Sequence, residues 1–475
     1  MEIIGRDTEK QRLERLYNSN SPEFLVVYGR RRVGKTYLIR QHFDNRFAFL
    51  TTGMYRQPQQ VQLSQFAMAL SEYFEIEMPS FGTWLEAFAT LKKCLQACPL
   101  TRKVVFIDEV SWFDTTGSDF IAALEWFWNG WAASQSDIML IVCGSATSWI
   151  TNRLLADKGG LFNRVTCQMY LLPFTLYETE QYLLSKGINW SRYDITECYM
   201  LMGGIPYYLK QLDTHLSYTA NIDELFFKKN GSLKDEFEHL YQTLFDNSAY
   251  YIKLVEALSS KTIGLTREQI SLAANVGNNG QLTKALRDLV NCNIIRGYNY
   301  FGKKKNGVMY QLSDYFTMFY FRFIKQYYGR DEHFWTLTID HPARRAWAGI
   351  MFEQVCKDHL AQIKRAIGIN GVMSEQSAWY SQPENGSTIR GAQIDMLIAR
   401  RDRIINICEM KFSQNEFTID NDYEMQLRNK MGTFREATKT RDALQLTMIT
   451  TYGVKQNSHS GIVQSQVKMD DLFLP

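Results

Sequence analysis

The stretch that decides the fold of the first part of the chain is residues 24–36. An apolar run at 24–28 leads into the loop Gly29, Arg30, Arg31, Arg32, Val33, Gly34, Lys35 and Thr36. An amphipathic stretch follows, up to residue 43. A buried strand, a glycine-rich loop and a helix are the context that the pattern G-x-x-x-x-G-K-[ST] requires. These residues therefore predict a P-loop that binds ATP through inward-facing N–H groups and the positive end of a helix.

Individual residues of this loop have different expected roles. Lys35 would reach the β- and γ-phosphates, and the Thr36 hydroxyl would ligate a magnesium ion. The arginines at positions 30–32 place positive charge near the phosphates. A solvated role and a catalytic role both stay open for them.

Two further apolar runs, at 103–107 and 138–143, end in polar residues. The first ends in Asp108 and Glu109, and two acids at the end of a buried strand are costly unless they meet a cation. We expect Asp108 to hold the magnesium ion and Glu109 to polarise the attacking water, which predicts hydrolysis of ATP as well as binding. The second run is followed by Ser145, either a sensor of the γ-phosphate or a simple turn serine.

The pattern along the chain predicts several structural parts. Strands alternate with helices at first, which indicates an α/β fold with a parallel sheet covered on both faces. Residues 249–313 have the outline of a winged helix, three helices and then two β-like runs joined by a turn with an Asn-Gly pair. Thr266 and Gln269 fit a capping box at the start of the second of these helices. The last part contains a helix, a hairpin, a helix and a strand. The predicted parts are an ATPase core (1–171), a helical lid (172–248), a winged helix (249–313), a helical connector (314–341) and a small α/β domain (342–475).

Several short motifs in the first half carry a family resemblance. They are Gly5-Arg6-Asp7 with Glu9, Asp108-Glu109, Gly144-Ser145, Leu172-Pro173-Phe174 and Gly203-Gly204-Ile205-Pro206. Together they resemble the archaeal-type AAA+ ATPases related to the STAND class. The resemblance implies a helical lid that contacts the nucleotide near Pro206. It also implies an arginine finger at Arg164, for which a surface arginine is the open alternative.

The last part contains a second group of ionisable residues, on a predicted hairpin. With the turn centred on Asp402, Asp395 lies opposite Glu409, and Lys411 shares a face with Glu409. Burying these groups without partners would cost several kcal/mol, and two carboxylates suit a magnesium ion. A lysine beside them can activate water or stabilise a charged transition state.

This arrangement is similar to that of the PD-(D/E)xK nucleases, which have a restriction-endonuclease-like fold. The resemblance implies that Glu353, on the preceding helix, is a further metal ligand beside Asp395 and Glu409, and that Glu409 and Lys411 are catalytic. It also matches Gln426 to a helical glutamine of related enzymes. Two alternatives stay open: a partly exposed Glu409–Lys411 ion pair on an edge strand, and a nuclease fold kept only for binding DNA.

Charge is concentrated in the middle of the chain. The net charge of the 475 residues is +3, whereas residues 250–345 carry 14 Lys and Arg against 7 Asp and Glu, a net +7. A basic winged helix predicts contact with DNA phosphates, although winged helices also dock proteins. The candidate DNA contacts are Lys284 and Arg287 on the third helix and Lys303, Lys304 and Lys305 in the wing.

Composition excludes some classes of protein. The 45% hydrophobic and 22% charged residues are typical of a globular protein, and no apolar run approaches the roughly 20 residues that cross a bilayer. We therefore expect a cytoplasmic location and no membrane partner. Eight cysteines without a Cys-x-x-Cys pair predict reduced thiols rather than a disulfide framework.

The overall prediction is an ATP-dependent DNA-processing protein that uses ATP and Mg²⁺ and carries a second, metal-dependent phosphodiesterase activity. The alternatives are a nucleotide-controlled switch of the STAND kind and a DNA-binding ATPase with a silent nuclease fold. A homo-oligomer is a further alternative, because Arg164 acting on a neighbouring subunit would require one.

Overall fold

The computed structural model describes residues 2–155, 160–161, 163–302, 308–327, 331–381 and 391–475. The chain divides into two compact units, Met1–Pro173 and Phe174–Pro475. This division lies two residues after the predicted boundary at 171. The other predicted boundaries fall inside the second unit.

The first unit is built around a five-stranded sheet. Its strands are β1 (Glu23–Tyr28), β2 (Phe49–Thr52), β3 (Lys103–Asp108), β4 (Ile138–Gly144) and β5 (Cys167–Tyr170). Its helices are α1 (Asp7–Tyr17), α2 (Lys35–His42), α3 (Gln59–Phe74), α4 (Trp84–Ala97), α5 (Phe120–Gly130) and α6 (Thr147–Trp149).

All strand pairs of this sheet are parallel, in the order β2-β3-β4-β1-β5. The three apolar runs of the sequence are the central strands β3, β4 and β1, which are buried along almost their whole length. Burial on both faces is what a continuous apolar run requires. The predicted α/β fold with a parallel sheet is confirmed; strands β2 and β5 were missed because they are four residues each and mix polar with apolar side chains.

The core of the first unit is rich in aromatic rings. Trp84, at the start of α4, is fully buried and meets Phe113 and Phe120 edge to face, with ring centroids 5.3 and 5.0 Å apart. Such pairs each add about 0.5–1.5 kcal/mol beyond their burial. Thr83 caps α4 through a capping box with Glu86. This packing makes the sheet a rigid support for the loops at its edge.

The second unit contains two sheets. Its strands are β6 (Leu265–Thr266), β7 (Ile295–Tyr298), β8 (Met309–Leu312), β9 (Ser374–Ser381), β10 (Ala392–Arg400), β11 (Ile404–Lys411), β12 (Ala443–Thr450) and β13 (Ser465–Lys468). Its α-helices are α7 (Leu176–Ser185), α8 (Arg192–Met202), α9 (Pro206–Leu209), α10 (Tyr218–Ile222), α11 (Glu236–Leu244), α12 (Ser248–Ser259), α13 (Arg267–Ala273), α14 (Gly280–Asn291), α15 (Tyr315–Phe319), α16 (Phe334–Leu337), α17 (Pro342–Asp358), α18 (Leu360–Ala366) and α19 (Asn421–Thr438).

Helices α12, α13 and α14 and a small antiparallel sheet of order β6-β8-β7 occupy the segment predicted as a winged helix. The predicted capping box of Thr266 and Gln269 at the start of α13 is confirmed. The sequence of elements, three helices and then a hairpin, is the one that a winged helix has. Strand β6, only two residues long, was not predicted.

The larger sheet has the order β13-β12-β11-β10-β9 and mixes antiparallel with parallel pairs. Strand β11 lies in its centre, between β10 and β12. Helix α19 packs on this sheet through Leu427 and Phe434. The alternative of an ion pair on an edge strand is therefore wrong, because β11 is a central strand.

The small hairpin is joined to the larger sheet, which the sequence did not predict. The Phe301 N–H donates to the Ala378 carbonyl at 2.8 Å, and the Phe301 ring lies 5.3 Å from that of Phe434. Arg296 and the Tyr315 hydroxyl both bind the Asp358 carboxylate, at 2.7 and 2.6 Å. The segment predicted as a winged helix and the C-terminal sheet thus pack together within one compact unit.

Two negative expectations concern the whole chain. No helix in the described ranges is long and apolar enough to cross a membrane. All eight cysteines are free thiols.

Candidate functional sites

The loop between β1 and α2 has the backbone conformation that its glycines permit. Gly29 and Gly34 have positive φ values of 142° and 92°. A Cβ atom on Gly29 would lie 2.4 Å from the carbonyl oxygen of Leu171, so a larger residue does not fit there. The loop therefore depends on glycine at both positions.

Lys35 is the first residue of α2, and its buried ammonium group lies over this loop. It donates to the carbonyl oxygens of Gly29 and Arg30 at 3.0 and 2.9 Å. Arg30 and Val33 are also buried, and a guanidinium N–H of Arg6 donates to the Val33 carbonyl at 3.3 Å. Arg6 is the residue before α1, and it supports the loop in a way that the sequence did not predict. Arg31 and Arg32 are partly exposed.

The end of β3 brings the two acids toward the loop. The Thr36 hydroxyl donates to Asp108 Oδ2 at 2.9 Å, and the Glu109 N–H donates to Asp108 Oδ1 at 3.0 Å. A hydroxyl and a carboxylate in contact are oxygen donors of the kind that Mg²⁺ prefers. Thr36 and Asp108 therefore fit the predicted magnesium position in their chemistry and their proximity.

Glu109 adopts a left-handed backbone conformation, with φ of 46°. Its carboxylate accepts the Ser145 hydroxyl at 3.0 Å and the Ser145 N–H at 3.2 Å. Burial raises the pKa of Glu109, Lys35 opposes this, and Asp108 raises the pKa further. The structure thus brings Ser145 to Glu109, a contact that neither alternative for this serine had included.

Two further nucleotide contacts were predicted, at Arg164 and Pro206. Arg164 is exposed in a turn before β5, and its side chain makes no hydrogen bond or ion pair with any residue in the described ranges. Pro206 is the first residue of α9, in the second unit. Their roles as arginine finger and lid contact stay predictions.

In the second unit, the four predicted nuclease residues come from three elements: α17 carries Glu353, β10 carries Asp395, and β11 carries Glu409 and Lys411. The hairpin pairs Met396 with Cys408, which is the register that the predicted opposition of Asp395 and Glu409 requires. The predicted register is confirmed. The pairing of β10 with β9 shifts between Ile394 and Leu397, an irregularity of the kind that often re-aims a side chain.

Both carboxylate oxygens of Glu409 have partners. Oε1 accepts the Tyr423 hydroxyl at 2.7 Å and lies 3.1 Å from Lys411 Nζ, and Oε2 accepts from Lys430 Nζ at 2.6 Å. Burial would raise the pKa of Glu409, but Lys430 and Lys411 together lower it. Glu409 therefore carries its negative charge in a dense set of donors.

Glu353 is in the opposite situation. Burial raises the pKa of Glu353 to about 7, with a further contribution from the charge of Asp395, while Lys357 acts against the rise. Glu353 makes no hydrogen bond or ion pair within the described part of the chain. Burial lowers the pKa of Lys357, one turn along α17, and the charges of Asp395 and Glu353 oppose this. These interactions bring the predicted residues into one electrostatic cluster.

Three members of this cluster were not assigned a role from the sequence: Lys357, Tyr423 and Lys430. The spacing of four residues between Glu353 and Lys357, and of seven between Tyr423 and Lys430, places each pair on one helix face and could have indicated them. Gln426 is exposed on α19 and does not contact Glu409.

The three carboxylates suit a hard divalent ion in their chemistry. Their arrangement is less suitable, because within the described ranges no group of three or more His, Cys, Asp or Glu is placed to hold a metal ion. Since both oxygens of Glu409 already bind donors, a metal at Glu409 requires one of these partners to move.

The candidate DNA contacts are described in part. Lys284 and Arg287 are exposed on α14, whereas Leu282 and Leu286 of the same helix are buried. The wing residues Lys303, Lys304 and Lys305 lie outside the described residues.

Comparisons with known proteins address the first half most directly. Residues 4–212 match the model of a family described as an ATPase domain predominantly from Archaea. An uncharacterized protein of Methanocaldococcus jannaschii is 23% identical over 401 residues, which cover 83% of this chain and 84% of that protein. An uncharacterized ATP-binding protein of the same organism is 44% identical over 44 residues, 9% of this chain and 75% of that protein.

Similar solved structures include a Walker-type ATPase of Pyrococcus abyssi, 17% identical, covering 67% of this chain and 96% of that one with a TM-score of 0.47. The ORC2 protein of Aeropyrum pernix, in ADPNP–ADP complexes, is 12% identical, with 68% and 95% covered and a TM-score of 0.42. The family match and the P-loop on its parallel sheet agree with the predicted type of domain. The chain therefore carries an archaeal-type ATPase domain over residues 4–212.

Proposed function

We propose that this chain is an ATP-dependent DNA-processing protein, in which hydrolysis of Mg-ATP by the first unit controls DNA binding and phosphodiester cleavage by the second. The observation that carries the proposal is the convergence of Glu353, Asp395, Glu409 and Lys411. They come from three separate elements and share one electrostatic cluster. Ionisable groups gathered in a partly buried place are typical of a functional site.

The ATPase half of the proposal assigns roles to the residues around the loop. Lys35 leaves the carbonyls of Gly29 and Arg30 and pairs with the phosphates, which are stronger acceptors for an ammonium group. Thr36 and Asp108 would hold the magnesium ion, which neutralises phosphate charge when bound.

Glu109 orients the attacking water and accepts its proton in this proposal. Ser145 supports the role, because its hydroxyl and N–H hold the carboxylate at the end of the sheet. A raised pKa makes Glu109 a stronger base than an ordinary carboxylate. The proposal also keeps the role of arginine finger for Arg164 and the role of lid residue for Pro206.

DNA binding is proposed for the segment with the winged-helix order of elements. The third helix of such a module usually enters the major groove. Lys284 and Arg287 are exposed on that helix, α14, and the segment around it has a net charge of +7. Both observations support contact with phosphates.

Cleavage is proposed for the carboxylate cluster. Glu353, Asp395 and Glu409 are the candidate ligands of a divalent ion, which would polarise a phosphoryl oxygen when bound. Lys411 then stabilises the charge that develops on the phosphoryl oxygens, because its ammonium lies beside Glu409.

A second candidate function is a DNA-binding ATPase whose nuclease fold is silent. The observation that favours it is the saturation of Glu409 by Lys411, Lys430 and Tyr423. In that case the cluster stabilises the fold, and the domain binds nucleic acid without cleaving it.

The test uses the full chain with single-stranded, duplex and branched DNA, with and without ATP, and with magnesium or manganese. Phosphate release and DNA cleavage are measured in parallel. We expect cleavage that disappears in Glu409→Ala and Lys411→Ala and persists in the exposed controls Glu436→Ala and Lys210→Ala. DNA binding without cleavage under any metal would select the silent fold, and cleavage that survives in both site variants would reject this site.

A further inference from the structure

The environment of Glu409 contains a cation, Lys430, that the proposed cleavage does not use. Tyr423, Leu427 and Lys430 follow each other at spacings of four and three on α19 and therefore share one face. Leu427 is buried in the core against the sheet. Its two neighbours on this face both reach the Glu409 carboxylate, one on each oxygen.

The charges of this cluster are unevenly distributed. Glu409 is within hydrogen-bond distance of two ammonium groups, Lys411 and Lys430. Glu353 makes no hydrogen bond within the described residues, and Asp395 accepts the Gln393 side-chain amide at 2.6 Å. One carboxylate therefore has a surplus of cations, while its two acidic neighbours have no direct ion pair.

Of the two lysines, Lys430 is the one without a role in the proposed cleavage. Lys411 lies two residues from Glu409 on the same strand, and its ammonium also lies 5.3 Å from the centre of the Tyr423 ring. Lys430 reaches Glu409 from a different element, and among the described residues Glu409 is its one ionic partner. The side chain of Lys430 is 22% exposed and that of Lys411 is 35% exposed, so each has a flexible stem with access to solvent.

We propose that Lys430 is an internal counter-ion that excludes a divalent ion from Glu409 until a nucleic-acid phosphate draws the ammonium away. The inference rests on the proposed metal-dependent function of this cluster. Lys430 Nζ lies 2.6 Å from Oε2, close to where a divalent ion would coordinate that oxygen, so the two cations compete. An ammonium group forms charge-assisted hydrogen bonds with either a carboxylate or a phosphate.

A consequence is cooperative binding. If phosphate binding removes Lys430 from Glu409, metal affinity rises, and by linkage metal binding strengthens nucleic-acid binding by the same factor. The cluster would then bind its metal mainly when substrate is present. This keeps the cleavage chemistry switched off in the free protein.

The test measures Mn²⁺ binding to the full chain, without nucleotide, by electron paramagnetic resonance of the free ion. An Asp108→Ala background removes the metal position at the P-loop, so that the signal reports on the second unit. Four proteins are compared in this background: the parent, Lys430→Met, Lys430→Gln and the control Arg435→Met. The control removes an exposed cation from another face of α19.

We expect Lys430→Met and Lys430→Gln to bind Mn²⁺ roughly tenfold more tightly than the parent, the size of effect usual for groups that contact a metal ligand. Arg435→Met is expected to match the parent. A short duplex oligonucleotide is expected to tighten Mn²⁺ binding by the parent and to leave the Lys430 variants unchanged. Adding Glu409→Ala to either Lys430 variant is expected to abolish the gain.

Equal Mn²⁺ affinities of the parent and the Lys430 variants would overturn the proposal, as would an equal gain in Arg435→Met, which would indicate a general charge effect. Circular dichroism checks folding, and the Gln variant carries the comparison if the Met variant unfolds. A Lys430 effect on Mn²⁺ without DNA cleavage would refute the proposed nuclease function and leave this inference standing.

Discussion

Glu109 in the first unit and Glu409 in the second are both partly buried acids at or just beyond the carboxyl end of an apolar strand, yet their pKa values move in opposite directions. Burial raises the pKa of Glu109, and its hydrogen-bond partner Ser145 is neutral. Burial acts in the same direction on Glu409, but Lys430 and Lys411 reverse it. The same residue type in similar strand positions therefore has a different chemistry because of its neighbours.

The comparison extends to what each site still needs. Around Glu109, the second acid Asp108 adds repulsion that a bound cation would relieve. Around Glu409, lysines of the chain already supply the positive charge. The first site is thus arranged to receive a cation, whereas the second has to exchange one.

The largest effect is expected for Lys35→Ala, which tests whether the first site depends on a cation of the chain that contacts the phosphates. Loss of this phosphate contact should reduce ATP hydrolysis by about 10²–10³-fold. Phosphate release measures the loss, and Lys93→Ala, an exposed lysine on α4, is the control. DNA affinity without nucleotide should stay unchanged, because Lys35 acts through the bound nucleotide; a parallel loss of that DNA affinity would contradict this role.

Glu109→Gln tests the role of the acid with the raised pKa. The substitution keeps the size of the side chain and removes the base, so ATP hydrolysis should fall by about 10²-fold while nucleotide binding persists. Binding of a fluorescent ATP analogue and phosphate release separate these two effects. Wild-type turnover in this variant would show that Glu109 only holds Ser145.

Glu353→Gln tests the cluster of the second unit through its pH dependence. The pKa of Glu353 is raised from 4.5 to about 7, so the folded state keeps a proton that the unfolded state releases. Stability should therefore fall as the pH rises through this window, by up to about 3 kcal/mol. In Glu353→Gln this fall should be absent.

Urea unfolding with a chelator present, followed by circular dichroism across the same pH range, measures the effect. The exposed Glu436→Gln serves as the matched control. If stability depends equally steeply on pH in the parent and in Glu353→Gln, the pKa of Glu353 is not raised, and the side chain is better solvated than its burial indicates.

The smallest effect is expected for Lys284→Ala with Arg287→Ala on α14. Loss of two phosphate contacts should weaken DNA binding several-fold and reduce the slope of log affinity against log salt by about 0.9 for each contact. Fluorescence anisotropy at several salt concentrations measures it, with Lys210→Ala as control. An unchanged slope would assign α14 to another partner.

The parts of the fold with strong local patterns were predictable. Residues 24–28, 103–107 and 138–143 became the central strands because a continuous apolar run has to be buried on both faces. The capping box at Thr266 followed from residues three apart, and it formed. The strands β2, β9 and β13 did not follow, because their mixed composition becomes a strand only by pairing with a neighbour.

The two candidate sites also contain features that local sequence predicts and features that it does not. Short segments of sequence predicted the conformation of the loop at Gly29, because a glycine permits a positive φ. They also predicted the register of the hairpin that carries Asp395 and Glu409, because side chains in a strand alternate with a period of two. Short segments did not predict the partners of Glu109 and Glu409. Ser145 reaches Glu109 from 36 residues away, and Lys430 reaches Glu409 from a helix 21 residues away. Contacts of this kind depend on how elements pack on one another, so the folded chain was needed to show that the direct partners of Glu409 are lysines and that the direct partner of Glu109 is a serine.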